Sequence, residues 1–356
     1  MPSREDVLEV LSAIKDPDLG RDVVSLGMIK DLAIGDEGRV SFTFELTTPA
    51  CPVRDRFQTL ARQLVSDLPG VTAVEVKMTA NVPAAFSGRH EPAIPGVKHV
   101  IAVGSGKGGV GKSTVAVNLA ASLRLSGASV GLLDADIYGP SVPGMLGVTE
   151  EPQVREQRLV PLEAFGIKLI SIGVLAGADK AMVWRGPLVA RAIEQMLGDV
   201  WWGELDYLVV DLPPGTGDAS LTLAQAVPLT GIAIVCTPQE TALRIALKAL
   251  QMFRGLNVPA LGLIENMSSF VCDGCGKEHF IFDHGRAERS ARRLGVPYLG
   301  AIPIDAAIRE EADAGAPVVV ARPETAGAQA LRKVASALAA RISMQSFRRL
   351  PVLNVR

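Results

Sequence analysis

The segment from Gly106 to Ser113, GKGGVGKS, has the residue types and spacing that bind the phosphates of a nucleotide. It fits the phosphate-loop pattern G-x-x-x-x-G-K-[ST] at every fixed position, between a predicted strand and a predicted helix. Its glycines let successive backbone N–H groups face the phosphates, and the positive N-terminal end of the helix adds to this. Lys112 would neutralise the β and γ oxygens, and the Ser113 hydroxyl would bind magnesium. The predicted nucleotide-binding residues here are Gly106, Lys107, Gly108, Gly109, Val110, Gly111, Lys112, Ser113 and Thr114.

Acidic residues follow two further predicted strands. Asp134 and Asp136 come just after the apolar run VGLL, and Asp211 follows YLVV. Phosphoryl transfer needs an acid near magnesium and a group that orients the attacking water. Asp211 suits the first role and Asp136 the second, so both are predicted catalytic residues together with Lys112.

Two of the four cysteines, Cys272 and Cys275, form a C-x-x-C motif in the segment CDGCGKEH. Two thiolates cannot complete a tetrahedral zinc site or hold a four-iron cluster, because both require four ligands. The motif has three interpretations: a zinc knuckle completed by His279 or His284, a redox pair, and a cluster shared across a dimer. No redox βαβ pattern surrounds the motif, and the shared cluster is favoured.

The other two cysteines stand apart from this motif. Cys236 ends an apolar run and is predicted to pack in the core. Cys51 lies between two prolines and fits either a reactive or cluster-related thiol or an ordinary residue at a helix start.

The composition is that of a globular chain, with 356 residues, 48% hydrophobic, 21% charged and a formal net charge of −2. This length exceeds one ordinary core and suits two domains. The charge gives no reason to expect nucleic acid or an anionic membrane as a partner. No apolar run approaches the ~20 residues of a membrane span, and the N-terminus has no apolar signal core. Four cysteines do not make a disulfide framework, and we expect a cytoplasmic protein with reduced thiols.

Two patterns of periodicity divide the chain. Residues 1–82 alternate helical and strand-like stretches and are predicted to form a small α+β domain, followed by a proline- and glycine-containing linker over residues 83–99. From Val100 onward, continuous apolar strands alternate with helices, which indicates a parallel sheet covered on both faces. The predicted fold is therefore an α/β P-loop NTPase domain over residues 100–345, with a C-terminal tail over 346–356. Such sheets bind ligands at the carboxyl ends of their strands.

The loop KGGVGKST has an additional lysine, Lys107, at its start. With this early lysine it resembles the deviant phosphate loop of the MinD/ParA/nitrogenase-iron-protein class. Members of that class work as nucleotide-sandwich dimers, in which the early lysine reaches the phosphates of the partner subunit. The resemblance implies an ATP-hydrolysing homodimer in which Lys107 is a catalytic residue supplied in trans. A cation delivered at the transition state can be worth ~10³–10⁵ in rate, which would let dimerisation control hydrolysis.

Further segments narrow the resemblance to the Mrp/ApbC family of iron–sulfur cluster carriers. These segments are DADIYGPSVPGMLG (134–147), WRGP (184–187), DLPPGTGD (211–218) and ENMSSFVCDGCGKEHFIF (265–282). The N-terminal domain, which contains TTPACP, resembles the iron–sulfur assembly domain often fused to bacterial members. The resemblance covers nearly the whole chain.

The resemblance implies an ATP-dependent carrier with low basal turnover that uses ATP and Mg²⁺. It implies a 4Fe–4S cluster held at the dimer interface by Cys272 and Cys275 and passed to recipient apoproteins, with iron–sulfur assembly proteins as further partners. By the same family pattern, Asn266, Pro303 and Asp305 flank the adenine.

Two other functions compete with this one. A MinD/ParA-type positioning ATPase acting on membrane or nucleoid would need a basic amphipathic C-terminal helix or a basic patch, and Pro351 interrupts the tail. A metal-insertion NTPase for another metal, such as nickel, would be favoured by histidine-rich tracts, yet the chain has four histidines. The positioning ATPase also leaves Cys272 and Cys275 unexplained.

Overall fold

The computed structural model describes residues 1–84, 94–136, 139–171, 197–215, 217, 220–221, 224–225, 229–272 and 274–349, with only the backbone of 347–349. The chain divides into two compact units, Met1–Pro83 together with Ala339–Arg356, and Ala84–Leu338. The predicted motif WRGP at 184–187 and Asp218 lie outside the described residues.

The N-terminal unit is a small sheet covered by helices. Its elements in chain order are α1 (Arg4–Leu11), β1 (Ile29–Ile34), β2 (Arg39–Leu46), α2 (Arg54–Ser66) and β3 (Ala73–Ala80). β1 pairs antiparallel with β2, and β2 pairs parallel with β3. Alternate residues of β2 are buried, since one face of this strand packs on the helices. The predicted α+β character of this region is confirmed.

Strand β1 was not predicted, because its pattern does not alternate. Its pairing with β2 shifts register between Lys30 and Ala33, and Asp31 between them adopts a φ of 49°. A bulge of this kind turns a side chain to the other face and hides the period of two.

The second unit is built on a mostly parallel sheet. Its strands are β4 (Val97–Ser105), β5 (Val130–Asp134), β6 (Val154–Arg155), β7 (Arg158–Leu159), β8 (Leu162–Ala164), β9 (Ile167–Ser171), β10 (Leu205–Asp211), β11 (Gly231–Cys236), β12 (Ala260–Val271), β13 (Glu278–His279) and β14 (Tyr298–Ile304). The spatial order is β13-β12-β11-β4-β10-β5-β9-β8, with β14 also paired to β12, while β6 and β7 pair with each other. β8 and β13 are antiparallel to their neighbours.

The helices of the second unit cover this sheet. They are α3 (Lys112–Leu125), α4 (Val142–Met145), α5 (Glu240–Gly255), α6 (Arg286–Leu294), α7 (Ala306–Asp313), α8 (Val318–Ala321) and the start of α9 (Ala326–Arg349). Every residue of β5 and β11 is buried, so both faces of the sheet are covered. The predicted P-loop NTPase architecture is confirmed.

Two boundaries of the described fold differ from those we predicted. Strand β4 begins at Val97, inside the predicted linker. Residues from Ala339 onward group with the N-terminal unit, in which Ser343 Oγ donates a hydrogen bond to Thr47 Oγ1 at 2.7 Å. The division into domains stays a prediction. Among the helices that the structure describes, none has the length and apolar character needed to cross a membrane.

Candidate functional site

The phosphate loop lies between β4, in the middle of the sheet, and the start of α3. Gly111 precedes the helix with a φ of 81°, a conformation that favours glycine, and a Cβ there would lie 2.3 Å from Asn266 Nδ2. A Cβ on Gly106 would lie 2.6 Å from the backbone N of Ala246 in α5. These two glycines therefore let the loop pack closely against α5 and β12.

The lysine of this loop is paired with the acid at the end of the neighbouring strand. Lys112 Nζ lies 2.5 Å from Asp211 Oδ1 and 3.2 Å from Ser113 Oγ. Asp211 ends β10, which pairs with β4, and this pairing brings the carboxylate beside the loop. Burial raises the pKa of Asp211, while Lys112 opposes this shift.

The other predicted acids lie at the same edge of the sheet. Asp134 ends β5 directly opposite Asp211 in the β5–β10 register. Its carboxylate accepts hydrogen bonds from Ser171 Oγ and the Asp136 N–H, both at 3.1 Å. Burial, and then the negative charge of Asp211, raise the pKa of Asp134 to about 7. Asp136 is buried and also raises the pKa of Asp211, so three acids lie near one another at this edge of the sheet.

The donor set at this edge fits magnesium. Oδ2 of Asp211 is buried and has no hydrogen-bond partner among the described residues. The Ser113 hydroxyl lies on the same side of Lys112, which contacts both residues. A hydroxyl and an unsatisfied carboxylate oxygen are ligands that Mg²⁺ takes, directly or through its waters. The predicted role of Ser113 toward magnesium is therefore compatible with the arrangement.

A cavity of about 310 Å³ adjoins the loop. Five predicted nucleotide-binding residues line it: Gly111, Thr114, Asn266, Pro303 and Asp305. The other lining residues include Met267 and Ile304, which lie within segments that the sequence pointed to, and Ile302, Ile308 and Arg309, which it did not single out. The place of Ile302 beside Pro303 at the end of β14 could have indicated it.

Two of the cavity residues are fixed by hydrogen bonds. Asn266 Nδ2 donates to the carbonyl oxygen of Val110 at 2.8 Å, which ties β12 to the phosphate loop. Asp305 accepts from the N–H of Ala307 at 3.0 Å and from that of Gly327 at 2.9 Å, one bond to each oxygen. Asp305 thus caps α7 and holds the start of α9.

Lys107, the first lysine of the loop, contacts the residue that precedes α5. Its Nζ lies 3.4 Å from Oε1 of Gln239, the residue before α5, and the side chain is half-buried. Its backbone carbonyl accepts a hydrogen bond from Ser105 Oγ at 3.0 Å. A contact of 3.4 Å is long for a hydrogen bond and leaves this ammonium group easily displaced.

The C-x-x-C motif forms the tip of a hairpin that continues the sheet. Cys272 directly follows β12, and its N–H donates to the Lys277 carbonyl at 3.0 Å before the chain returns as β13. Cys272 is half-buried and Cys275 is exposed. Val271, Phe280 and Ile281 beside them are exposed apolar side chains.

The described residues of one chain do not form the ligand set of a zinc knuckle. Across the described ranges, which omit Asp273, no group of three or more His, Cys, Asp and Glu residues is placed to hold a metal ion. His279 lies on β13 opposite Phe270, and the ring of His284 contacts that of Phe280.

The remaining cysteines lie away from this hairpin. Cys236 is buried at the end of β11, and burial raises the pKa of its thiol to about 12, as expected of a core residue. Cys51 is half-buried, and its pKa is raised by burial and, less strongly, by Asp16 and Asp18. A raised pKa argues against a reactive thiol at Cys51.

Two family models match the chain. The model described as NUBPL iron-transfer P-loop NTPase matches residues 96–339, and the model described as iron-sulfur cluster assembly protein matches residues 4–77. The first covers more than half of the chain.

Individual proteins are also similar to this chain. An "Iron-sulfur cluster carrier protein" of Deinococcus radiodurans is 51% identical over 353 residues, which cover 97% of each chain. A nucleotide-binding protein of Archaeoglobus fulgidus, solved in complex with ADP, is 41% identical with a TM-score of 0.56, over 62% of this chain and 87% of that chain. The cell division ATPase MinD of Pyrococcus furiosus is 23% identical with a TM-score of 0.52, over 67% of this chain and 97% of that one, and shows the fold alone.

Proposed function

The chain belongs to the NUBPL iron-transfer P-loop NTPase family, and we propose that it is an ATP-hydrolysing carrier that delivers iron–sulfur clusters to apoproteins. The resemblance to Mrp/ApbC carriers is thereby confirmed. The cluster is the cargo of this protein, and ATP is its substrate.

One observation supports the proposal above the others. Strand β12 holds Asn266, which is hydrogen-bonded to the phosphate loop, and ends immediately before Cys272. A displacement of the loop by a bound nucleotide would therefore act on the strand that carries the cluster ligand. Through β12, binding of ATP at the phosphate loop would be coupled to release of the cluster.

The loop and the three strand ends supply the parts of phosphoryl transfer. Lys112 binds the β and γ phosphate oxygens, and Asp136 orients the attacking water. Ser113 and Asp211 would hold Mg²⁺, which neutralises charge on the phosphates when it is bound. Asn266 and Pro303 line the adjoining cavity, where they would lie against the adenine. Basal turnover is low in this proposal, because the hydrolysis step waits for the partner subunit.

The cluster site is completed by a second copy of the chain. Each chain offers Cys272 and Cys275, and a 4Fe–4S cluster takes four thiolates. A two-fold axis brings the same patch of both chains together, so two pairs meet. In the same dimer, Lys107 reaches the partner's phosphates. The exposed Val271, Phe280 and Ile281 beside the hairpin would be covered by such a contact.

The protein acts in the cytoplasm in this proposal, with neither nucleic acid nor membrane as a partner. Its N-terminal unit docks recipient apoproteins or iron–sulfur assembly proteins. Only the fold supports a positioning ATPase, because the MinD of Pyrococcus furiosus is 23% identical to this chain.

Reconstitution with iron and sulfide under anaerobic conditions tests the function. We expect 4Fe–4S absorption and Mössbauer spectra, four iron atoms per dimer, and transfer of the cluster to an apoprotein. Zinc at one per monomer, removed by His279→Ala, would instead establish a knuckle. Co-sedimentation with lipid vesicles or DNA, without cluster binding, would support the positioning ATPase.

A further inference from the structure

Helices α5 and α6 line a cleft that the proposed function does not use. Its volume is about 680 Å³, and the side chains that define its walls follow helical spacings of three and four residues. The lining residues include Glu240, Leu243 and Arg244 of α5 and Arg286, Arg289 and Arg293 of α6.

The charges around the cleft do not balance. Four arginines line it against two carboxylates, Glu240 and Asp283. Arg286 pairs with both carboxylates, through Nη1 at 3.2 Å from Glu240 and through Nε to Asp283. The other three arginines form no ion pair with any residue in the described ranges: Arg244, Arg289 and Arg293.

The excess charge is confined to the cleft side of α6. On another face of the helix, Arg292 pairs with Glu288 at 2.6 Å, and neither residue lines the cleft. The pKa of Asp283 is lowered by the His284 N–H and by Arg286, with Arg289 contributing less. Arg289 and Arg293 lie one helical turn apart and repel each other, so a bound anion would relieve this repulsion.

Apolar side chains lie between these arginines. Leu243 is buried in the sheet–helix core, and Leu247 packs against the same core beside it. An apolar surface next to guanidinium groups lowers the local dielectric and strengthens a pair with an incoming carboxylate. The cleft thus combines cations with a low-dielectric wall.

The cleft is continuous in sequence with the cysteine hairpin. The chain passes from Cys275 through β13 to Asp283 and enters α6 at Arg286. A protein held on α6 is therefore bound to the segment that leads from the cluster motif.

We propose that the cleft between α5 and α6 docks an acidic segment of the apoprotein that receives the cluster. This inference rests on the proposed carrier function. Arg289 and Arg293 are separated by ~6 Å along the helix, which matches carboxylates at i and i+4 of a helix or at i and i+2 of a strand. Each guanidinium can bind one carboxylate through two parallel hydrogen bonds.

Nucleic acid fits this cleft less well than an acidic protein segment. A phosphate backbone binds best along a continuous basic surface, whereas Glu240 and Asp283 interrupt the arginines that line this cleft. The chain as a whole has a net charge of −2, which adds no attraction.

The test measures docking apart from cluster chemistry. Variants Arg244→Gln, Arg289→Gln and Arg293→Gln are made singly and together, with Arg292→Gln as a matched control on the same helix. The probe is the apo form of an acidic 4Fe–4S ferredoxin, and a sample with amidated carboxylates serves as its neutral counterpart. Binding is measured by anisotropy with a cluster-free carrier at low and high ionic strength, after circular dichroism shows native folding.

We expect the triple variant to bind the ferredoxin about tenfold more weakly and to lose most of the salt dependence. The affinity of the Arg292→Gln variant for the ferredoxin should stay within about twofold of that of the unmodified carrier, because an exposed charge outside the cleft contributes little. With the loaded carrier, transfer should slow in parallel while iron per dimer stays unchanged.

Four results would overturn the docking proposal. They are unchanged binding by the triple variant, equal loss with Arg292→Gln, an altered oligomeric state of the triple variant, and tighter binding of duplex DNA through the same arginines. A carrier that never loads a cluster would contradict the proposed function alone, because docking is measured without one.

Discussion

Lys112 Nζ lies 2.5 Å from Asp211 Oδ1, with side-chain exposures of 6% and 0%. The main cation of the phosphate loop is thus balanced by an acid from the neighbouring strand β10. The same pair joins the residue proposed for phosphate binding to the one proposed for magnesium. Removal of either partner therefore affects both stability and nucleotide binding, and the two effects can be separated.

Lys112→Ala is expected to abolish ATP binding, because it removes the charge that faces the phosphates. It should also lower the free energy of unfolding by about 3 kcal/mol, since Asp211 is left buried and unpaired. Calorimetry of binding and of thermal unfolding measures both effects. Adding Asp211→Asn should restore part of the stability and none of the binding. Wild-type ATP affinity in Lys112→Ala would refute the phosphate-loop assignment.

Lys107→Ala is expected to bind ATP and to hydrolyse it at least ~10³-fold more slowly, because the loop and Lys112 remain while the trans cation is lost. Gln239→Ala is the matched control, since it removes only the 3.4 Å contact of Lys107 and should keep full activity. Heterodimers of Lys107→Ala with Asp136→Ala should regain partial ATPase activity in single-turnover assays. No rescue in heterodimers that have been shown to form would count against action in trans.

Cys272→Ala and Cys275→Ala should each lose the cluster and its transfer, while ATP binding persists. The reason is ligand number, because each substitution removes two of the four thiolates in a two-fold dimer. Iron analysis and absorption spectra of the reconstituted variants measure this. Cys236→Ala, which alters only a buried thiol, should keep the cluster. Clusters of normal intensity in the Cys275→Ala protein would exclude the shared site.

Asn266→Ala is expected to weaken ATP binding about fivefold and to reduce nucleotide-dependent cluster release. It removes the 2.8 Å hydrogen bond to the Val110 carbonyl, and one such bond is worth about 1 kcal/mol. Ser268→Ala removes a hydrogen bond from the same strand to Ile302 and serves as control. Titration of ATP and stopped-flow transfer with and without nucleotide distinguish binding from coupling. If the two substitutions had equal effects, the proposed role of Asn266 in coupling nucleotide binding to cluster release would be wrong.

Thiol labelling of the native, cluster-free protein should be fastest at Cys275, which is exposed. Cys236 should not react at pH 8, because burial raises the pKa of its thiol to about 12 and blocks access of the reagent. Mass spectrometry after brief alkylation locates the labels, and denaturation should expose all four thiols. Rapid native labelling of Cys236 would show that β11 does not end in the core.

Much of this protein was predictable because its chemistry is local in sequence. The phosphate loop needs its glycines, lysine and serine within eight residues, so the segment from Gly106 to Ser113 identifies it without a structure. The parallel sheet was predictable for a related reason, since strands buried on both faces are continuous apolar runs, as β11 is. Strand β1 was missed because its bulge at Asp31 breaks the alternation that identifies a strand.

Only the tertiary structure decided which distant residues meet. The sequence proposed Asp211 for magnesium, but the pairing of β10 with β4 places that carboxylate on Lys112, 99 residues away along the chain. The cavity residue Arg309 and the cleft between α5 and α6 carry no sequence signal, because their neighbours come from separate elements. Asn266 was linked to the adenine by resemblance, whereas its bond to Val110 follows from the path of β12 past the loop. Local patterns specify loops and strands, and long-range pairing of those strands determines which charges neutralise one another.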